Sequence, residues 1–162
     1  MLTEAQIDAF HNDGFTLCPG FLDPGTVRGL LAEADEVIAG NTRAQHDPER
    51  MEMEPEQPPE GAAVRRLYEP CSYYPRAQAL AELAQLLDNV EQLFGPNLLF
   101  HYSKLNMKPA EVGSVVEWHQ DLSYYPMTNS DSLAVLFYLD DTDESNGALK
   151  ILPGAHHAAL MN

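Results

Sequence analysis

Cysteine is nearly absent from this 162-residue chain, and its only two, Cys18 and Cys71, lie far apart and outside any Cys-x-x-Cys pattern. That excludes a zinc knuckle and a disulfide framework, and both are read as free thiols. Positive charge is also scarce: nine Lys and Arg stand against 25 Asp and Glu, for a formal net charge of −16. The cations are scattered, whereas phosphate neutralisation needs them clustered, which argues against a nucleic-acid partner. No apolar run approaches the roughly 18 residues of a membrane span. The start, Met1-Leu2-Thr3-Glu4, lacks the basic-then-apolar pattern of an export signal, so the expectation is a cytoplasmic protein with no membrane partner. With 44% hydrophobic residues the chain can bury a core, and its length suggests one domain spanning residues 1–162.

The amino-terminal part carries helix signals. Thr3 with Gln6 forms a capping box, Leu2 and Ile7 occupy staple positions, and Asp13-Gly14 ends the helix. Phe15-Thr16-Leu17 reads as a short strand, after which Asp23-Pro24 opens a second helix whose apolar face is Val27, Leu30, Leu31, Ala34, Val37 and Ile38. Residues 41–61 carry six carboxylates and four prolines with no apolar period beyond Met51 and Met53, and read as an acidic, proline-rich loop, either a solvated insertion or a lid. A strand is expected over 64–68, and a helix over 77–94 with Leu80, Leu83, Leu87, Val90 and Phe94 on its buried stripe.

Beyond Pro96 the pattern is sheet-like. Strands are expected over 98–107, 112–121, 133–139 and 148–152, the third apolar enough for burial on both faces. Helices followed by consecutive antiparallel strands point to an α+β fold whose sheet rolls into a jelly roll. Such a roll has about eight strands and this sequence offers about four, so the roll is expected to be partial.

Trp118-His119-Gln120-Asp121 is the most chemical segment. On extended backbone, alternate side chains share a face, which puts the imidazole of His119 beside the carboxylate of Asp121. Those are two of the three donors of the two-His-one-carboxylate triad that holds non-haem Fe(II). The plainer reading is a hydrogen-bonded structural pair. His101, His156 and His157 are the other candidate donors, but His101 is more simply read as a core or surface histidine and His156 and His157 as loop residues after a turn. Tyr124 and Tyr125 either line a channel or pack against Trp118.

The ordered set Lys104-Leu105-Asn106-Met107-Lys108-Pro109, Trp118-His119-Gln120-Asp121-Leu122-Ser123-Tyr124-Tyr125-Pro126, Asn146-Gly147-Ala148-Leu149 and Leu152-Pro153-Gly154-Ala155-His156 resembles the phytanoyl-CoA dioxygenase family of Fe(II)/2-oxoglutarate oxygenases. Asp13-Gly14-Phe15 and Gly20-Phe21-Leu22 are similar to that family's entry segment. The resemblance implies a double-stranded β-helix of cupin-like form, with Fe(II), 2-oxoglutarate and O₂, and hydroxylation of an unactivated carbon of a small-molecule substrate. It implies His119 and Asp121 as metal ligands and catalytic residues. It places Lys104, Gln120 and Phe137 at the 2-oxoglutarate pocket, with Arg66 near a cosubstrate-contacting basic residue. Related halogenases carry a small residue at the position of Asp121 so that chloride can bind iron, so Asp121 implies hydroxylation. The family's distal histidine and oxoglutarate-anchoring arginine have no counterpart here, which leads to the expectation of an amino-terminal portion incomplete at the carboxyl end. The alternative is a non-catalytic binding or assembly module built on the same half-roll, self-associating through exposed strands.

Overall fold

The computed structural model describes residues 1–125 and 127–160. Five helices, α1 (Glu4–Asp13), α2 (Pro24–Ile38), α3 (Pro70–Tyr73), α4 (Pro75–Ala81) and α5 (Ala84–Phe94), accompany three strands, β1 (Met51–Met53), β2 (Val64–Tyr68) and β3 (Lys104–Asn106). The class is α+β. The helix boundaries follow the local chemistry: Thr3 and Gln6 close the capping box of α1, and Gly14 ends it in the left-handed region at φ 86°. The carboxylate of Asp23 accepts from the N–H groups of Gly25 and Thr26 and from the Thr26 hydroxyl, which holds its carboxyl below the usual range.

The sheet is antiparallel in the order β1-β2-β3, with Leu67 opposite both Met51 and Leu105. Its buried face is the core: Met51, Met53, Val64 and Leu67, against which Val37, Ile38, Tyr74, Leu105 and Met107 pack.

The expected loop at 41–61 is therefore corrected. It contains β1, and Met51 and Leu67 are only 4% and 1% exposed. Two methionines spaced by two residues are a complete strand signal for so short a strand, one hidden by the glutamates and prolines around them. Gln57 substitutes for missing ladder bonds: its amide donates to the carbonyls of Glu54 and Ala63 and accepts from the Ala63 N–H. Glu54 is 1% exposed, and its carboxylate accepts from the N–H of Ser114 at 3.1 Å and from the Ser114 hydroxyl.

Three further expectations are corrected. The helix over 77–94 is two helices broken at Glu82 and Leu83, because an apolar stripe at three- and four-residue steps reads the same in one helix as in two placed end to end. The start of α4 is capped from α2, where Glu33 accepts the N–H groups of Arg76 and Ala77. Leu83, Leu87 and Phe94 are exposed, so that stripe is not buried. Finally, of the strands expected beyond Pro96 only Lys104–Asn106 is paired among the described residues, and Phe15-Thr16-Leu17 is likewise unpaired. A strand exists through its ladder partner, and residues 112–120, 133–139 and 148–152 have extended, apolar sequence without one. Leu136, expected inside, is 53% exposed, and Trp118 is 65% exposed.

Both cysteines are free, Cys18 exposed and Cys71 half-buried, where burial pushes the Cys71 thiol up.

Because Glu54 joins β1 to Ser114 across 60 residues of sequence, its loss leaves buried donors unpaired. Glu54→Leu is expected to cost about 2–4 kcal/mol and Glu54→Gln less, read from urea unfolding midpoints. Equal stability of Glu54→Leu and the wild type would contradict this role.

Candidate metal centre

His119 lies outside any strand, and Asp121 opens a 3₁₀ turn spanning Asp121–Tyr124, so the two are not on one strand as expected. Their convergence survives because Gln120 between them is itself extended, at φ −109° and ψ 122°. The Nε2 of His119 lies 3.1 Å from Oδ1 of Asp121. On the other side of the ring, Nδ1 lies 2.7 Å from the carbonyl of Glu117. A carbonyl can only accept, so Nδ1 carries a proton, and Nε2 is left as the ring nitrogen that meets the carboxylate. Without a metal a proton bridges this contact, and a metal ion bound by both groups would take that proton's place. Cis ligands at about 2.1 Å from an octahedral ion stand about 3.0 Å apart, which the observed separation matches. The edge of the Tyr124 ring packs on His119, with centroids 5.5 Å apart. Side-chain exposures of 30% for His119 and 47% for Asp121 leave both reachable from solvent.

The other expected site residues divide. Arg66, on β2, is gripped twice: its Nε donates to Oδ1 of Asn106 at 3.0 Å, and its NH1 lies 3.3 Å from a carboxylate oxygen of Glu52. Lys104 faces Tyr68 across the β2–β3 ladder and is exposed. Arg66 and Asp121 both act on Tyr125, whose phenol is pushed up by burial and then by the Asp121 charge, with Arg66 opposing. The cation of β2 and the carboxylate of the half-site thus share one electrostatic neighbourhood. His101 packs edge-on against Tyr125, with centroids 5.3 Å apart. Phe137 instead packs on Phe21 at 5.9 Å, and Gln120 donates to the carbonyl of Ala155 at 3.4 Å. His156 directs Nε2 at the carbonyl of His11, 3.1 Å away. Among the described residues no group of three His, Cys, Asp or Glu side chains could hold a metal ion. Sequence reasoning missed Glu52 and Asn106 as the grip on Arg66. Asn106 alternates with Lys104 on the same strand, so its face was legible, but its partner was not.

The phytanoyl-CoA dioxygenase family model matches residues 10–161. The chain belongs to this family. Over its whole length it is 31% identical to a probable alpha-ketoglutarate-dependent hypophosphite dioxygenase of Stutzerimonas stutzeri, of which it covers 56%. Over 99% of its length it is 29% identical to an L-proline trans-4-hydroxylase of Streptomyces griseoviridis, covering 57% of that protein. The crystal structure of EctD from S. alaskensis with bound Fe superposes with a TM-score of 0.63 at 27% identity, over 75% of this chain and 41% of that one. The chain spans about half the length of the curated relatives it matches. No helix among its described residues is long and apolar enough to cross a membrane.

The shared field at Tyr125 is measurable. Asp121→Asn is expected to lower the Tyr125 pKa towards, but not to, the ordinary phenol value, since burial persists. A pH titration of tyrosine absorbance, referenced to Tyr125→Phe, checks this, and an unchanged value in Asp121→Asn would contradict the placement.

Proposed function

We propose that this chain carries the iron-binding segment and part of the cosubstrate pocket of an Fe(II)/2-oxoglutarate-dependent hydroxylase. The observation that supports it is the 3.1 Å approach of His119 Nε2 to the Asp121 carboxylate, with Nδ1 fixed by the Glu117 carbonyl. This donor set fits two positions of the two-His-one-carboxylate triad, with open positions left over. The third ligand comes from outside the described residues, for which the greater length of the relatives leaves room. Residues 1–162 form one domain, part of a double-stranded β-helix, in which the segment 41–61 braces the sheet.

Iron with 2-oxoglutarate and O₂, when bound, would supply the oxidation, and the chain's residues serve to bind, orient and exclude water. His119 and Asp121 ligate. Glu117 holds the His119 tautomer, the usual task of a group bonded to the far nitrogen of a ligating imidazole. Arg66, with one edge of its guanidinium held by Asn106 and Glu52, is oriented to meet a carboxylate of the cosubstrate, and Lys104 adds positive charge on the neighbouring strand. Gln120 and Phe137 act as supports. The substrate is a small polar molecule, as the relatives named for hypophosphite and proline suggest.

Exposed apolar side chains support a second reading, an assembly module. Val135, Leu136, Tyr138, Leu149, Ile151 and Leu152 are all exposed. Burying such side chains is worth roughly 1.5–3 kcal/mol each, so this surface favours self-association. The net charge of −16 opposes it at low salt. Light scattering behind size-exclusion chromatography is expected to show mass rising with ionic strength, and a monomer at every salt concentration would contradict this.

For the metal, titration of Mn(II) as a surrogate is expected to show weak binding that is lost in His119→Ala and in Asp121→Ala, because two donors hold an octahedral ion less firmly than three. Equal binding by wild type and His119→Ala would overturn the assignment.

A further inference from the structure

The metal half-site is tied to the end of α1 by one short turn. The last carbonyls of a helix have no partner within it. Here two are met from the turn that follows Pro153: the Gly154 N–H donates to the Asp13 carbonyl at 2.8 Å, and the Nε2 of His156 donates to the His11 carbonyl at 3.1 Å. The imidazole of His156 then lies over Gly14, where a Cβ would stand 2.4 Å from its Nδ1. Gly14 is thus required twice, by its left-handed φ of 86° and by the ring occupying the place of its side chain. The residue before His156 completes the connection: the Ala155 carbonyl accepts from Nε2 of Gln120 at 3.4 Å. Gln120 stands between the two donors, and its extended backbone aims His119 at Asp121.

We propose that His156 is a positioning residue for the metal half-site, acting through the Ala155 carbonyl and Gln120 to hold the mutual angle of His119 and Asp121. The proposal rests on the reading of that pair as iron ligands, but its mechanical part is separable from it. His156 is held by the helix end, so its role differs from that of a metal donor. The co-occurrence of Asp13-Gly14 with Pro153-Gly154-Ala155-His156 in one sequence gains a physical cause, since each half fills the other's vacancy. The Gln120 bond is long, so the coupling is of moderate strength.

The test uses the full chain labelled with ¹⁵N-histidine. Without metal, long-range ¹H–¹⁵N spectra are expected to show Nδ1 of His119 held protonated in the wild type and a shift towards averaging of the two ring nitrogens in His156→Ala. His156→Gln, which keeps an N–H donor, is expected to restore the wild-type pattern, as loss of ring packing alone would not allow. Mn(II) affinity is expected to fall about tenfold in His156→Ala, the size usual for a group that orients a ligand. In a Gln120→Leu background the same substitution is expected to have no further effect. An unchanged His119 ring in folded His156→Ala overturns the proposal. Should His156→Ala fail to fold, Gln120→Leu cuts the same connection from the other end and must itself disturb the His119 ring, or the proposal falls. A ring that responds in a protein that binds no Mn(II) leaves the positioning role standing and sinks the metal reading.

Discussion

The hydrogen bond from Nδ1 of His119 to the carbonyl of Glu117 determines what the rest of the site can do. By fixing a proton on Nδ1 it leaves Nε2 as the nitrogen that meets Asp121, so the imidazole–carboxylate contact is the place where a metal would replace the bridging proton. The donor atoms then stand at a spacing suited to one cation. Everything else described about the site either holds this segment in place or brings positive charge beside it.

Holding it in place is the task of the parts that look least functional. Glu54, buried in a segment dense with acidic residues and prolines, reaches Ser114 on the approach to His119. Burying a carboxylate without donors would be costly, and the Ser114 N–H and hydroxyl supply them together, so a liability just after β1 becomes a fixed point for the ligand segment. Glu52, on β1 itself, grips Arg65 and Arg66 and accepts the Tyr68 hydroxyl. The segment reads as a solvated loop by composition, yet its Glu52 is paired with the cations of β2.

What was legible in the sequence was whatever depends on neighbours in sequence. The capping box of Thr3 and Gln6, the Asp23 cap and the Gly14 stop all rest on groups a few residues apart, and all are present. The convergence of His119 with Asp121 was legible for the same reason, since extended backbone at Gln120 is enough to produce it. The failures are all cases in which a partner distant in sequence decides. Met51 and Met53 are core because Val64 and Leu67 lie beside them, and residues 133–139 and 148–152 are unpaired because no ladder partner stands next to them among the described residues. The grip of Asn106 and Glu52 on Arg66 belongs to this second kind, and so does the contact of His156 with the end of α1.

The central claim is that this chain gives a metal ion one imidazole, through Nε2 of His119, and one carboxylate. Electron–nuclear double resonance on the Mn(II)-loaded chain labelled with ¹⁵N-histidine counts coordinating imidazoles directly. A single coupled nitrogen, abolished by His119→Gln, is the predicted result. No coupled nitrogen, or two persisting after that substitution, would mean that the ion is held elsewhere, and the account of the half-site would be wrong.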